Sequence, residues 1–255
     1  MKRKIQIVLR AAFLMTMACS PMADLFAATS SADALKEAEA QAQYLCVIFY
    51  DKKESIFNDM VKQLDAYNSS LSKKAATYKV DVANESEYGF ISRYGVMRAK
   101  LPLLLVFAPN GVITGGFEQT ITVEQLKPSM NVSELMLKVL KPIQERKVVL
   151  VTLQNSSTIN NDESWKAVTD FTSDPQYSMY TVAIKGDPSA SGSKEFIKQC
   201  GLIEPIVEST VVVLLPPGSI GKILKGKITK ADILSALQSC ASLGGCGGGT
   251  CGPKK

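Results

Sequence analysis

Cysteine is the residue type that could do chemistry here, because its spacing is uneven. Three of the six cysteines, Cys240, Cys246 and Cys251, lie in a glycine-rich run that closes the chain. Three sulfurs on pliable backbone allow several chemistries. A disulfide such as Cys246–Cys251 closes a small loop and leaves a thiol over for an intermolecular bond, which would give a disulfide-linked oligomer. Thiolates also hold soft metals, Cu(I) or Zn(II), although three sulfurs without histidine fall short of a closed tetrahedral zinc site. A thiol arm that exchanges disulfides with partners is the third reading, with Lys254 and Lys255 favouring the thiolate. An idle tail is the fourth. Cys46 and Cys200 read differently: one sits inside an apolar strand and the other at a helix end, where thiols pack and do not react.

The chain contains no histidine. That removes the commonest general base, the Ser/His and Cys/His nucleophile pairs and most imidazole metal sites. No base–nucleophile pair is visible, so an enzyme is not the expectation.

The second place for chemistry is the stretch 44–57. Leu45-Cys46-Val47-Ile48-Phe49-Tyr50 is a short apolar run rich in β-branched and aromatic residues, stopped by charges at 51–54. It reads as a buried strand feeding a turn and then a helix. A helix launched from the carboxyl end of a central strand aims its first N–H groups at whatever sits there. That position holds Glu54-Ser55-Ile56-Phe57.

The elements needed to position these residues follow from periodicity. Ser30-Ser31-Ala32-Asp33 has capping-box spacing and opens a helix with Leu35, Ala38 and Ala42 on one face. After the strand 44–50, a helix is expected over 56–71 and an alternating strand over 77–82. A short helix over 88–94 stops at Gly95. Then come a strand over 101–107, a turn at Pro109-Asn110-Gly111, a returning strand over 112–117 and a closing helix over 132–143. The same αβαβαββα plan recurs in strands 147–153, 179–184, 211–215 and 220–224, with helices 162–172, 191–200 and 230–240. Two units of about 100 residues are a natural size.

The first segment stands apart. Lys2, Arg3, Lys4 and Arg10 precede a short apolar core, Pro21 breaks it, and Ala27-Ala28 offers small residues for cleavage. This is the pattern of a secretory signal peptide over 1–28, too short to span a bilayer. A lipid anchor at Cys19 is the rival reading, although Thr16 and Met17 fit a lipoprotein box poorly. No second apolar run approaches the ~20 residues of a membrane helix. Removing four cations and Asp24 lowers the formal net charge from +5 to +2. Charge therefore gives no argument for nucleic acid. Export to the periplasm or beyond implies an oxidising compartment.

Two features together resemble a known family. One is the capped alanine-rich helix followed by strand, turn and helix. The other is the ordered series Ser92-Arg93-Tyr94-Gly95-Val96, Leu101-Pro102-Leu103, Phe107, Asn110-Gly111 and Gly116. They resemble secreted bacterial thioredoxin-like domains, over roughly residues 33–141. The resemblance implies an α/β fold of two tandem thioredoxin-like domains, each a mixed central sheet flanked by helices. It places domain 1 at 29–143, a degenerate domain 2 at 144–239 and an expected disordered Cys/Gly-rich tail at 240–255. It also implies a cis peptide at Pro102, with Leu101 and Pro102 holding extended polypeptide. Family enzymes carry Cys-x-x-Cys where this chain has Glu54-Ser55-Ile56-Phe57. The domain is therefore expected to be redox-inactive and free of cofactors. In the second domain the turn Asn155-Ser156-Ser157-Thr158 has no cysteine, and Ser209-Thr210 stands in place of the proline. The expectation is an exported scaffold that binds extended or unfolded polypeptide or an envelope protein. Thiol exchange or Cu(I)/Zn handling by the tail cysteines is the alternative.

Overall fold

Strand β1 (Leu45–Tyr50) is apolar throughout, and its alternating side chains serve two cores. Leu45, Val47 and Phe49 enter one core, and Cys46 and Ile48 enter the other, as a period of two requires for a strand covered on both faces. The computed structural model describes residues 28–52, 57–69 and 75–242. Within them the chain forms two mixed four-stranded sheets, each flanked by helices.

In the first sheet β2 (Ala76–Asp81) runs parallel to β1. On the other side of β1, β3 (Leu103–Phe107) and β4 (Ile113–Glu118) follow antiparallel. The order is β2-β1-β3-β4. Helices α1 (Ser31–Ala40) and α3 (Tyr88–Arg93) cover one face through Ala34, Ala38, Phe90 and Ile91. Helix α2 (Phe57–Ser69) covers the other through Met60, Leu64 and Tyr67. The Ser30 hydroxyl accepts from Asp33 N at 3.2 Å and donates to Asp33 Oδ2 at 2.7 Å, so the expected cap is present.

A buried carboxylate ties this layer together. Glu87 is 4% exposed and accepts from Ser31 N at 3.0 and 3.3 Å and from the Ser31 hydroxyl. It meets the orphan amides and positive end of α1, which offset the cost of burying its charge. Burial, with the Glu87 charge added, pushes the Tyr78 hydroxyl pKa upward.

The second sheet repeats the plan with β5 (Val148–Leu153), β6 (Thr181–Gly186), β7 (Thr210–Leu215) and β8 (Ser219–Lys225), in the order β6-β5-β7-β8. Helix α7 (Lys194–Gln199) lies on one face. Helices α6 (Asn161–Thr172) and α8 (Lys230–Ser242) lie on the other.

Three findings depart from the sequence reading. The first unit is closed by a helix the periodicity did not reveal, α4 (Val123–Ser129), whose Leu126 is fully buried beneath the sheet. Its signal is the short capping box Thr122–Gln125, with Gln125 N bonded to the Thr122 hydroxyl and Thr122 N to the Gln125 side chain. Gly115 on β4 admits it, since a Cβ there would stand 2.4 Å from Ser129 Oγ.

Second, the helix expected to close the first unit, α5 (Glu134–Gln144), packs on the second sheet. Leu135, Val139, Pro142 and Ile143 form its buried stripe, and they meet Val149, Val151 and Ile184. The helix was placed by order along the chain, whereas its apolar stripe fits β5 and β6. It is the second unit's counterpart of α1. Third, α8 continues to Ser242, so Cys240 lies in its last turn rather than at the start of a tail. Residues 1–27, with Cys19, and Cys246 and Cys251 lie outside the described residues.

Moving the boundary ahead of α5 has a direct consequence. A fragment beginning at residue 144 lacks the helix that covers β5 and β6 and is expected to stay unfolded. One beginning at residue 131 is expected to fold, read by the near-ultraviolet signal of Trp165. Burying three large aliphatic side chains contributes roughly 5–8 kcal/mol, comparable to the whole stability of such a domain.

Candidate functional site

The carboxyl end of β1 is where the expected site residues can be tested. The pairing of Phe49 with Leu103 sets Pro102 beside Tyr50. The Tyr50 ring stacks on Phe57 at the start of α2, with centroids 4.3 Å apart. Lys79 Nζ lies 5.5 Å from the centre of the Phe57 ring. Leu101–Pro102 is a cis peptide, as the resemblance implied. Pro102 is buried, Leu101 half-buried and Lys100 exposed. Pro102 O accepts from Gln119 N at 2.7 Å, which anchors the lead-in to β3.

Pro102 and Phe57 therefore both flank Tyr50 at this strand end, while Leu101 packs toward the core beneath α1 and α3. Glu54, Ser55 and Ile56 lie outside the described residues. Beside the lead-in, Gly95 adopts a left-handed conformation (φ 66°) and turns the chain out of α3. That turn buries Val96 and leaves Met97 65% exposed. Sequence reasoning missed Met97 because one apolar residue after a helix stop has no periodic neighbours.

The matching end of the second sheet is built otherwise. The two ladders correspond residue by residue, and Thr210, paired with Leu153, takes the place of Pro102, which faces Tyr50. Thr210 has the N–H that proline lacks, so β7 begins one ladder position earlier than β3.

The turn after β5 is laced by side chains. Asn155 N donates to Thr158 Oγ1 at 2.9 Å, Thr158 Oγ1 donates to Asn161 Oδ1 at 2.6 Å, and Asn161 Nδ2 donates to Asn155 O at 2.7 Å. The Asn155 amide reaches Asp187 Oδ1 at 2.8 Å, and Ser189 N and Oγ converge on the same carboxylate. These donors, the Ser189 hydroxyl foremost, hold the Asp187 pKa below the usual carboxylate range. Gln154, with its nitrogen toward Ser209 Oγ at 3.3 Å, accepts from Lys185 Nζ at 3.3 Å.

Main-chain bonds complete the closure. Ile159 N donates to Val207 O at 3.1 Å and Ser209 N donates to Ile159 O at 2.9 Å. The backbone leading into β7 is thus already paired to the chain's own turn. Ile159, Ile203 and Val207 remain 62%, 86% and 64% exposed around it.

Cys46 and Cys200 offer no reactive thiol. Cys46 is fully buried on β1, and loss of solvent pushes its pKa far up. Cys200 is also buried, and the same cause raises its pKa to about 11. Among the described residues no cluster of three His, Cys, Asp or Glu is arranged to hold a metal ion. No described helix is long and apolar enough to cross a membrane.

No family model matches the chain, and no curated protein matches it. Among solved structures it is similar to the first two thioredoxin domains of Saccharomyces cerevisiae Eps1p, at 11% identity over 82% of this chain and 96% of that one, with a TM-score of 0.30. Human ERp44 form I is matched at 12% identity over 80% of this chain and 53% of that one, TM-score 0.32. The exposed lipoprotein thioredoxin Etrx1 of Streptococcus pneumoniae is matched at 10% identity over 38% of this chain and 87% of that one, TM-score 0.31. Likeness of that size decides nothing about function.

Two outcomes follow for side chains at these ends. Iodoacetamide at pH 8 is expected to leave Cys46 and Cys200 unmodified in the folded chain and to label both in denaturant, read by peptide mass. The lowered Asp187 pKa stabilises the fold fully above the unfolded value of about 3.9 and is lost as pH falls through the lower folded value. Protection of the Ser189 amide, its exchange rate taken against the intrinsic rate at the same pH, is therefore expected to fall only below about pH 4.

Proposed function

We propose that this chain is an exported thioredoxin-like protein without a dithiol centre in either unit, which binds extended polypeptide at the Pro102 end of its first sheet. The observation that carries this reading is the exposed Met97 on the segment that leads through half-buried Leu101 into Pro102 and β3. In the second unit the matching segment 207–209 is bridged to Ile159 and is already paired. Ile56, which takes the place of Ile159 in the first unit, lies outside the described residues. An exposed apolar side chain beside backbone that leads into a strand suits an added strand of peptide.

Redox inactivity is supported by the residues themselves. Glu54-Ser55-Ile56-Phe57 and Asn155-Ser156-Ser157-Thr158 contain no sulfur, so neither turn can form or break a disulfide. The partner class proposed is unfolded or extended polypeptide in the cell envelope or outside it.

A second reading is favoured by the state of the thiols. With Cys46 and Cys200 buried, exchange or binding of Cu(I) or Zn(II) falls to Cys240, Cys246 and Cys251. Serine at those three positions is expected to remove all fast-reacting thiol from the native chain.

The primary test pairs an activity with a binding measurement. The full chain is expected not to accelerate insulin reduction over dithiothreitol alone. It is expected to bind reduced, carboxymethylated insulin B chain, with Met97→Asp and Leu101→Asp each weakening binding about tenfold, the cost of charging one buried apolar contact. Ile203→Asp is expected to change nothing. Turnover near that of a working thioredoxin, or binding lost only with Ile203→Asp, would sink the proposal.

A further inference from the structure

Positive charge in this chain is carried almost wholly by lysine: of 29 cationic residues only five are arginine. Two of those, Arg3 and Arg10, belong to the leader. The other three, Arg93, Arg98 and Arg146, line a single cavity of about 500 Å³. They come from three separate pieces of backbone: the last residue of α3, the short 3-10 turn Val96–Arg98, and the link between α5 and β5. No carboxylate lines the cavity. All nine ion pairs among the described residues use lysine, and none uses these arginines.

This placement is costly unless something compensates it. Like charges gathered in one concavity repel, and a surface without function intersperses acids among them. A helix carboxyl end favours a cation, which accounts for Arg93 but for neither of the others. Arg146 is held in the left-handed region (φ 61°), with its N–H bonded to Ile143 O at 2.9 Å. A long side chain there is presented by a strained backbone rather than by the helix surface. The remaining wall offers Ser92, a hydroxyl donor, and two exposed apolar faces, Tyr88 (61% exposed) and Met97 (65% exposed).

We infer that Arg93, Arg98 and Arg146 form a binding site for a small ligand carrying clustered oxyanions, of which pyrophosphate is the simplest example. Guanidinium is the group suited to the task. Its planar fork gives paired N–H donors to phosphate or carboxylate oxygens, and it gives up water more readily than ammonium. The contrast in usage supports the assignment, since lysine serves every described ion pair while Arg93, Arg98 and Arg146 all line this cavity, Arg93 also reaching a neighbouring one lined by Glu39 and Glu145. Because Arg146 follows the helix that the second unit is built on, an anion held by all three also joins the two units. The site is separate from the polypeptide surface proposed above, apart from the shared wall at Met97.

The test is calorimetric titration of the full chain with sodium pyrophosphate at low ionic strength, with a parallel titration of citrate. Saturable binding of one equivalent is expected. Arg93→Gln, Arg98→Gln and Arg146→Gln are each expected to weaken it at least about fivefold, and the triple variant to abolish it. Arginine-to-lysine changes are expected to lie between, because they keep the charge and lose the fork. The double change Lys222→Gln and Lys225→Gln removes two charges elsewhere, more than any single arginine variant, and is expected to leave binding intact. Tighter pyrophosphate than citrate identifies a phosphoryl ligand, and the reverse order a polycarboxylate. Either order supports the site. All three arginines are exposed, so the variants should keep the native far-ultraviolet spectrum. If Arg146→Gln does not, Arg146→Asn, better suited to a left-handed residue, replaces it. No saturable binding of either anion at millimolar concentration, or binding that survives the triple variant, overturns the inference.

Discussion

Helix α5 has to satisfy two surfaces at once, and the rest of the molecule depends on how it does so. Its apolar stripe is buried against the second sheet. Its polar side holds the β3–β4 hairpin of the first unit. The Gln144 amide donates to Ile113 O at 2.7 Å and accepts from Ile113 N at 3.0 Å, completing both backbone bonds of one residue as a strand neighbour would. Lys141 Nζ reaches Asn110 O at 2.9 Å, and Asn110 Nδ2 reaches Leu137 O at 3.1 Å. Gly111 (φ 77°) turns the hairpin there, on the side where a Cβ would collide with the Glu39 carboxylate of α1. The helix belongs to one core and is stapled to the other by about four hydrogen bonds, worth roughly 1 kcal/mol each. Such a joint holds an orientation without fusing the cores.

The two units then diverge by local chemistry on a shared plan. At the end of β1 the chain places a proline, which cannot donate to the ladder. At the end of β5 it places threonine, serine and asparagine, which can bond to nearby backbone in several ways. Those side chains lace the second turn shut, and the main-chain bridge at Ile159 uses the backbone groups that a peptide would need. The strand end of the second unit is thus sealed by the chain itself. Position on the fold does not give function, and the side chains at that position decide what it can do.

The parts of this architecture that could be read from sequence are those fixed by near-neighbour residues. The apolar run 45–50, the Ser30 cap, Gly95 after α3 and the Asn110-Gly111 turn each carry their own signal, and each lies where expected. Helix α4 was hidden because seven residues with Pro128 inside give too little periodicity, leaving only the Thr122–Gln125 box. The allegiance of α5 was not legible either. Its stripe shows that one face is buried, and nothing in it says which sheet receives that face. Leu101 and Pro102 could be picked out by order along the chain. Met97 and the three arginines could not, because their meaning lies in proximity across elements.

Hydrogen–deuterium exchange of the full chain, with and without carboxymethylated insulin B chain, tests the central claim most directly. Slowed exchange confined to residues 97–103, with 203–210 unchanged, is the predicted result. Slowed exchange at 203–210 alone, or no change in either segment under saturating peptide, would contradict it.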